Sequence, residues 1–271
     1  MTHTDGELDA FGEWERAAWE TRAAPYAASL GDLTRGSVPA LLDAARVAAG
    51  SRMLDVGTGP GFAALAATAR GAAVTAVDQS IAMVEIARAA GVDALVGSAT
   101  DLPVADGGFD ALVAGYLLNH LPRPEAAVAE FVRALAPGGR LAMTVWDIPQ
   151  VNPALGLIGP VVSALGLRDR VPPGPDSQRF ADEAQVRALL AGWRDVAVDH
   201  VRWSVEVEPA AWFDAVADSA PRTGAVLASA GPEQRAQARE RYVEVARASY
   251  GVAGGRVALP AGAVLMSATR P

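Results

Sequence analysis

The chain has 271 residues, 51% of them hydrophobic, enough to bury a large core in one domain or a domain with a cap. All 23 basic residues are arginine and cysteine is absent, which excludes lysine Schiff bases, P-loop or kinase lysines, thiol nucleophiles, thiolate zinc sites and disulfides; with only His3, His120 and His200, no multi-histidine metal site is expected either. A net charge of −8 disfavours partners held by phosphate neutralisation, so nucleic acid and anionic membranes are not expected.

The polar start (Thr4, Asp5, Glu7, Asp9) lacks the order of a signal peptide. Phe11, Trp14, Trp19 and Tyr26 then crowd four of the 16 aromatics into the first 26 residues, which reads as an N-terminal helical cap over residues 1–35 that either covers a ligand cleft or packs on the sheet edge. Val38, Leu41, Leu42 and Ala45 form a helix stripe that stops at Gly50, and Met53 to Gly57 reads as a first strand. Phe62 to Arg70 is a helix stopped by Gly71, and Ala73 to Val77 is a second strand that ends at Asp78. Ser80 caps the next helix, Ala94 to Gly97 makes a third strand, and Asp106-Gly107-Gly108 turns into a fourth, Phe109 to Gly115. Pro124 starts a helix with Val128, Phe131, Val132 and Leu135 on its stripe; Pro137-Gly138-Gly139 ends it, and Leu141 to Trp146 is a fifth strand.

Beyond Asp147 the rhythm changes. Residues 148–180 are rich in proline and read as a lid insertion, whose apolar run from Leu155 to Leu167 serves either as a cover over an apolar substrate or as a homodimer contact. That run is too short and too broken by proline and glycine to span a bilayer, and the chain reads as soluble and cytoplasmic. Asp182 with Gln185 reads as a capping box before Val186, Leu189 and Leu190, and Val196 to Val207 alternates as a strand. Helices over Ala210–Ala220 and Pro232–Tyr250 precede a last strand, Val257 to Ala268. Strands alternating with helices predict an α/β, doubly wound, mostly parallel seven-stranded sheet. The core divides into 36–147 and 181–271, the latter with inserted helices over 208–250.

The chemistry-bearing signal is Asp55-Val-Gly57-Thr-Gly59-Pro-Gly61 at the first strand-to-helix turn, where glycines let a ligand approach the backbone and a helix start offers free amides. A dinucleotide fingerprint would need glycine at position 62, which is Phe62. Asp78, closing the next strand, is an acid placed to accept two hydrogen bonds from a ribose diol.

Five blocks in order resemble the class I S-adenosylmethionine-dependent methyltransferases, in their ubiquinone/menaquinone-biosynthesis-like branch. They are Leu54 to Gly61; Val77-Asp-Gln-Ser80 with Met83; Gly97 to Pro103 leading to Phe109-Asp110; Asn119-His-Leu-Pro122; and Leu135 to Arg140. The resemblance implies a Rossmann-like fold with S-adenosyl-L-methionine as cofactor. By position, Gly57, Thr58, Gly59 and Gly61 would wrap its methionine part, with Asp55 near the amino group, Asp78 on the ribose, Gln79 and Met83 against the adenine, and Ser98 and Ala99 at the adenine edge. Gly115, at the end of the fourth strand, is included among the cofactor residues.

His120 follows the fourth strand, where a ligand in the crevice beyond the strand ends would lie. It is either a structural histidine bonded to the loop backbone or a base, since imidazole titrates near neutrality. Tyr116 shares that rim as a second catalytic candidate, and Asn119, Trp146 and Asp147 as substrate-binding candidates; His200 reads as structural. The implied reaction is methyl transfer to oxygen, carbon or nitrogen of a small, partly apolar molecule such as a specialised metabolite, without metal. A different outcome of the same pocket is a methyltransferase fold that keeps its cofactor while catalysing a cyclisation or isomerisation.

Overall fold

A computed structural model of the chain describes residues 3–168 and 171–271; positions 1–2 of the predicted cap and 169–170 of the predicted lid lie outside the described residues. Three helices come first, α1 (Asp5–Ala28), α2 (Leu30–Arg35) and α3 (Val38–Ala44). The alternating part follows: β1 (Arg52–Val56), α4 (Phe62–Ala69), β2 (Ala73–Asp78), α5 (Ile81–Ala89), β3 (Ala94–Val96), β4 (Phe109–Gly115), α6 (Pro124–Ala134) and β5 (Leu135–Trp146). Two short helices, α7 (Pro153–Gly156) and α8 (Ile158–Ala164), precede α9 (Glu183–Leu189) and β6 (Arg194–Val207). Then α10 (Pro209–Ser219), α11 (Pro221–Ala228) and α12 (Pro232–Tyr250) lead to β7 (Val257–Thr269).

One seven-stranded sheet runs in the order β3-β2-β1-β4-β5-β7-β6. The first five strands are parallel, and β7 is antiparallel to both β5 and β6. The connection reverses direction between β1 and β4, so a crevice opens at their carboxyl ends, the place where open α/β sheets bind ligands. Because side chains alternate across a strand, β1 serves two cores. Leu54 and Val56 join Leu112, Phe131 and Val186 on one face, while Met53 joins Leu41, Leu42, Val113 and Ala142 on the other.

A further core lies beyond the sheet's end. Leu30 and Leu33 of α2, Ala154 of α7, Ile158, Val161 and Val162 of α8, and Trp212, Phe213 and Tyr242 of α10 and α12 pack together with Leu259 of β7. Ala154, Ile158, Val161 and Val162 are therefore covered within the chain itself, while Ile148 of the same segment is exposed.

Three expectations need correction. Strand β5 begins at Leu135, which pairs with Phe109, so Pro137-Gly138-Gly139 is an irregularity within the strand and not a turn before it. A Cβ on Gly139 would lie 2.9 Å from the Ala136 carbonyl, so only glycine lets the strand pass there. Asp182 does cap α9, accepting from the Ala184 N–H at 2.8 Å, but Gln185 accepts from Arg179 Nε instead of completing a capping box. Helix α11 is an element the proline at 221 concealed: Pro221 is its first residue, where a missing N–H costs nothing.

Candidate active site

The glycine turn after β1 is built by backbone bonds to the end of β2. Gly57 and Thr58 N–H groups donate to the Val77 carbonyl at 2.8 and 3.1 Å, and Gly57, Gly59 and Gly61 all have positive φ (70°, 54° and 87°). Asp78 ties the turn to the next helix: its Oδ2 accepts from Gly59 N–H and its Oδ1 from Ser80 N–H, each at 2.9 Å. Burial raises the Asp78 carboxyl above its usual range, although backbone N–H bonds oppose the shift. Each carboxylate oxygen keeps a second lone pair, so both remain able to accept from a ligand.

A cavity of about 480 Å³ opens at this point, within the range of small-molecule sites. Gly57, Gly59, Asp78, Gln79 and Met83 form one side of it, with Ala99 and Gly115 beyond. Asp55, Thr58, Gly61 and Ser98, expected at the cofactor, do not line it. Asp55 faces the other side of β1, where Thr58 Oγ1 donates to it at 2.7 Å in a separate, smaller hollow; burial pushes its carboxyl up to about 6. Gly61 is turned toward the end of α5 and the turn after it, where a Cβ would meet Val92 Cγ2 at 2.8 Å and Ala87 Cβ at 3.5 Å, so it serves helix-to-sheet packing. The Ser98 hydroxyl is engaged with Thr100, at 2.9 Å from its Oγ1 and 3.2 Å from its N–H.

The opposite side is assembled from five distant segments. Tyr116 has φ +57°, an uncommon conformation for a bulky residue, and its ring stacks on Trp146 with centroids 4.0 Å apart. Its hydroxyl donates to Ser37 Oγ at 2.7 Å and burial raises its pKa far above the usual range, so Tyr116 is placed as a wall and not, as expected, as a proton-transfer group. Asn119 donates through Nδ2 to the Ser177 carbonyl at 2.9 Å, which pins the strand-end loop to the segment before α9. Asp147 lines the cavity, but its carboxylate is occupied: His200 Nδ1 and Arg202 Nη2 lie 2.7 Å from Oδ2, and the Ile148 N–H donates to Oδ1. Burial would raise its carboxyl, but these bonds together outweigh burial and hold it below the usual carboxylate range.

His120 also lines the cavity. Its Nδ1 lies 3.0 Å from Oε2 of Glu15, and its ring meets Trp19 edge to face at 5.0 Å. Glu15 is fully buried, and its other oxygen is 3.7 Å from Nε of Arg222, whose guanidinium sits over the Phe11 ring at 5.1 Å. Trp19, Tyr26, Asn152 and Arg222 also line the cavity. Of these, Trp19 and Tyr26 fall in the expected cap and Asn152 in the expected lid; Arg222 and Glu15 were not expected at the site from sequence reasoning. One signal was there for Glu15: it stands at helical spacing between Phe11 and Trp19, a carboxylate set in an aromatic stripe. Helix α1 is held over the cavity by a second carboxylate, Glu20, which accepts from the Ser80 hydroxyl at 2.7 Å and the Ala82 N–H at 3.2 Å.

Residues 54–143 match the family model described as a methyltransferase domain. Over 171 residues the chain is 32% identical to a demethylmenaquinone methyltransferase of Beutenbergia cavernae, covering 58% of this chain and 71% of that one. The chain belongs to the class I S-adenosylmethionine-dependent methyltransferases, in the quinone-biosynthesis-like branch. A ubiquinone biosynthesis O-methyltransferase of Xanthomonas oryzae is 36% identical over 118 residues, 41% of this chain and 49% of that one. The chain thus spans about half the length of the first curated relatives it matches. Among solved structures, the YcgJ protein of Bacillus subtilis superposes with a TM-score of 0.56 at 19% identity, covering 86% of this chain and 97% of that one, a likeness of fold. The matched segment, 54–143, holds the glycine turn, Asp78 and His120, and ends before Trp146.

Proposed function

We propose that this chain transfers a methyl group from S-adenosylmethionine to a small, partly apolar organic acceptor, a specialised metabolite of phenol or hydroquinone type. The observation that carries the reading is the single cavity: the glycine turn and Asp78 stand on one side of it, and His120, Trp146 and Arg222 on the other. The names of the relatives, which act in menaquinone and ubiquinone biosynthesis, support the acceptor type. When bound, S-adenosylmethionine supplies an electrophilic methyl on a sulfonium whose thioether is a good leaving group.

The residues present fit that group. Asp78, with free lone pairs facing the cavity, holds the ribose hydroxyls; Gly57 and Gly59 give the backbone approach; Gln79, Met83 and Ala99 bound the adenine side. The chain's own contribution is positioning and exclusion of water. Trp19 and Tyr26, from the proposed cap 1–35, roof the cavity, and Asn152 and Leu155, from the proposed lid 148–180, close its far end. Tyr116 stacked on Trp146 offers a flat apolar wall suited to a ring. No helix among the described residues is long and apolar enough to cross a membrane.

The test has two parts. Calorimetry with S-adenosylhomocysteine should give one site per chain, and absence of binding would overturn the assignment. Incubation of a phenol and hydroquinone panel with methyl-labelled cofactor should move the label into product; a product that forms while the label stays on the cofactor would establish a different reaction in the same pocket.

A further inference from the structure

We infer that Glu15 and Arg222 are positioning residues that hold His120 with its Nδ1–H engaged and its Nε2 bare toward the cavity, so that the acceptor atom is the oxygen of an un-ionised hydroxyl. The inference rests on the methyl-transfer reading above and deepens it.

A carboxylate has no proton to donate. Glu15 Oε2 at 3.0 Å from Nδ1 therefore requires the imidazole hydrogen to sit on Nδ1, which leaves Nε2 as the lone-pair nitrogen. The ring cannot swing away freely, because Trp19 meets it edge to face and Glu15 is fixed in α1. Glu15 itself has no exposure. A carboxylate removed from water needs an opposite charge, and the guanidinium of Arg222, from α11, stands 3.7 Å from its other oxygen as a charge contact without a hydrogen bond. Glutamine or leucine would fill the same volume at lower desolvation cost, so the ionised group is best understood by what it does to the histidine. Three elements that are remote in sequence meet here, and their meeting point is the cavity wall.

Elimination leads to the same place. Of the other acidic and phenolic groups on the acceptor side, Tyr116 donates to Ser37, burial pushes the Tyr26 hydroxyl up to about 12, out of reach of a base's role, and Asp147 is saturated by His200, Arg202 and the Ile148 N–H. Asp78 belongs to the cofactor side. His120 is thus the one uncommitted base among the described lining residues. A neutral amine already has the lone pair it needs and gains little from a base, whereas a hydroxyl attacks well only as its proton leaves. In the step, the O–H proton passes to Nε2, the oxygen's electron pair forms the new bond to the methyl carbon, and the carbon–sulfur pair departs with sulfur as the thioether. The imidazolium then returns its proton to solvent.

Because the chain has only three histidines, the decisive measurement is simple. Histidine-selective 15N labelling of the whole chain, saturated with S-adenosylhomocysteine at alkaline pH, reports which ring nitrogen carries hydrogen; the His120→Gln variant identifies the signal. The expected result is hydrogen on Nδ1 of His120, the less common tautomer of free imidazole. Hydrogen on Nε2 would overturn the inference even if the cofactor binds and methyl transfer occurs. In turnover, Glu15→Gln should lower kcat about a hundredfold, within the ~10²–10⁴ range of general-base catalysis, with the KM for S-adenosylmethionine unchanged within about twofold. The loss should shrink steadily for phenols acidic enough to ionise unaided. An equal loss across that series, or a product methylated on carbon or nitrogen, would overturn the inference while leaving the methyl-transfer reading in place. Failure to bind S-adenosylhomocysteine would instead sink that reading.

Discussion

The cofactor side of the cavity is drawn from one short stretch, Gly57 to Ala99 plus Gly115, and nearly all of its geometry is set by backbone bonds at the ends of parallel strands. The acceptor side is drawn from Trp19, His120, Trp146, Asn152 and Arg222, which are spread over 200 positions and meet only through tertiary packing. A strand-turn-helix that grips a common ligand can be written in a local motif. A wall that must fit one particular acceptor is free to come from anywhere in the chain, and here it comes from the helices added around the sheet.

Removing the charge at the centre of the cofactor side should have the largest effect. Asp78→Ala loses the partner of Gly59 and Ser80 N–H groups and the acceptor for a ribose diol. Hydrogen bonds to charged groups contribute roughly 1.5–3 kcal/mol each, so loss of the two from the diol should lower affinity for S-adenosylhomocysteine about a hundredfold to ten-thousandfold by calorimetry. An unchanged affinity would detach Asp78 from the cofactor and erase the contrast between the two sides.

Asp55 stands two residues before the glycine turn but on the other face of β1, so it should act on stability and not on the ligand. Its folded value of about 6 lies above the ordinary 3.8 because burial disfavours the charged form. The sign follows: the stabilisation of the neutral carboxyl is complete below about pH 4 and is lost as pH rises through about 6. Asp55→Asn mimics the neutral form at every pH. Relative to the native chain the variant should therefore gain up to about 3 kcal/mol between pH 4 and 7, read by denaturant unfolding at several pH values. A difference that does not change with pH would show that the carboxyl ionises freely in the fold.

These cases show why part of the site was legible and part was not. The order of strands, the turn and Asp78 could be read because glycine, aspartate and apolar runs carry backbone requirements that are local. The face on which Asp55 and Gly61 would lie depended on strand alternation and on the packing of α5, which the motif does not contain. Glu15 and Arg222 were hidden for another reason: a charged residue in an N-terminal helix or after a proline looks like solvent-facing surface until the fold buries it. His120 was found as a candidate, but its partner, which decides the tautomer, lies 105 positions away.

Gly61→Ala separates packing from binding at a position inside the motif itself. The residue has φ +87° and its Cβ would lie 2.8 Å from Val92, so the substitution should cost about 2 kcal/mol of stability through left-handed strain and displacement of the Val92 side chain. The affinity of the folded protein for S-adenosylhomocysteine should stay within about twofold of native, since Gly61 does not reach the cavity. A large loss of affinity with little loss of stability would return Gly61 to the ligand.

The smallest effect is expected at Ser98, and its smallness is informative. Gly97 and Ala99 on either side line the cavity, yet Ser98 does not: its hydroxyl turns back onto Thr100, and the Asp101 N–H donates to the Ser98 carbonyl to close a local turn. A hydroxyl already bonded to a neighbouring hydroxyl and a backbone N–H has little left to offer an adenine amino group. Ser98→Ala should accordingly change the dissociation constant of S-adenosylhomocysteine less than about twofold, a difference under ~0.4 kcal/mol. A tenfold weakening would mean that ligand binding pulls Ser98 away from Thr100 and into the cavity. Recognition on the cofactor side would then depend on a side-chain rearrangement and not, as the geometry indicates, on backbone and Asp78 alone.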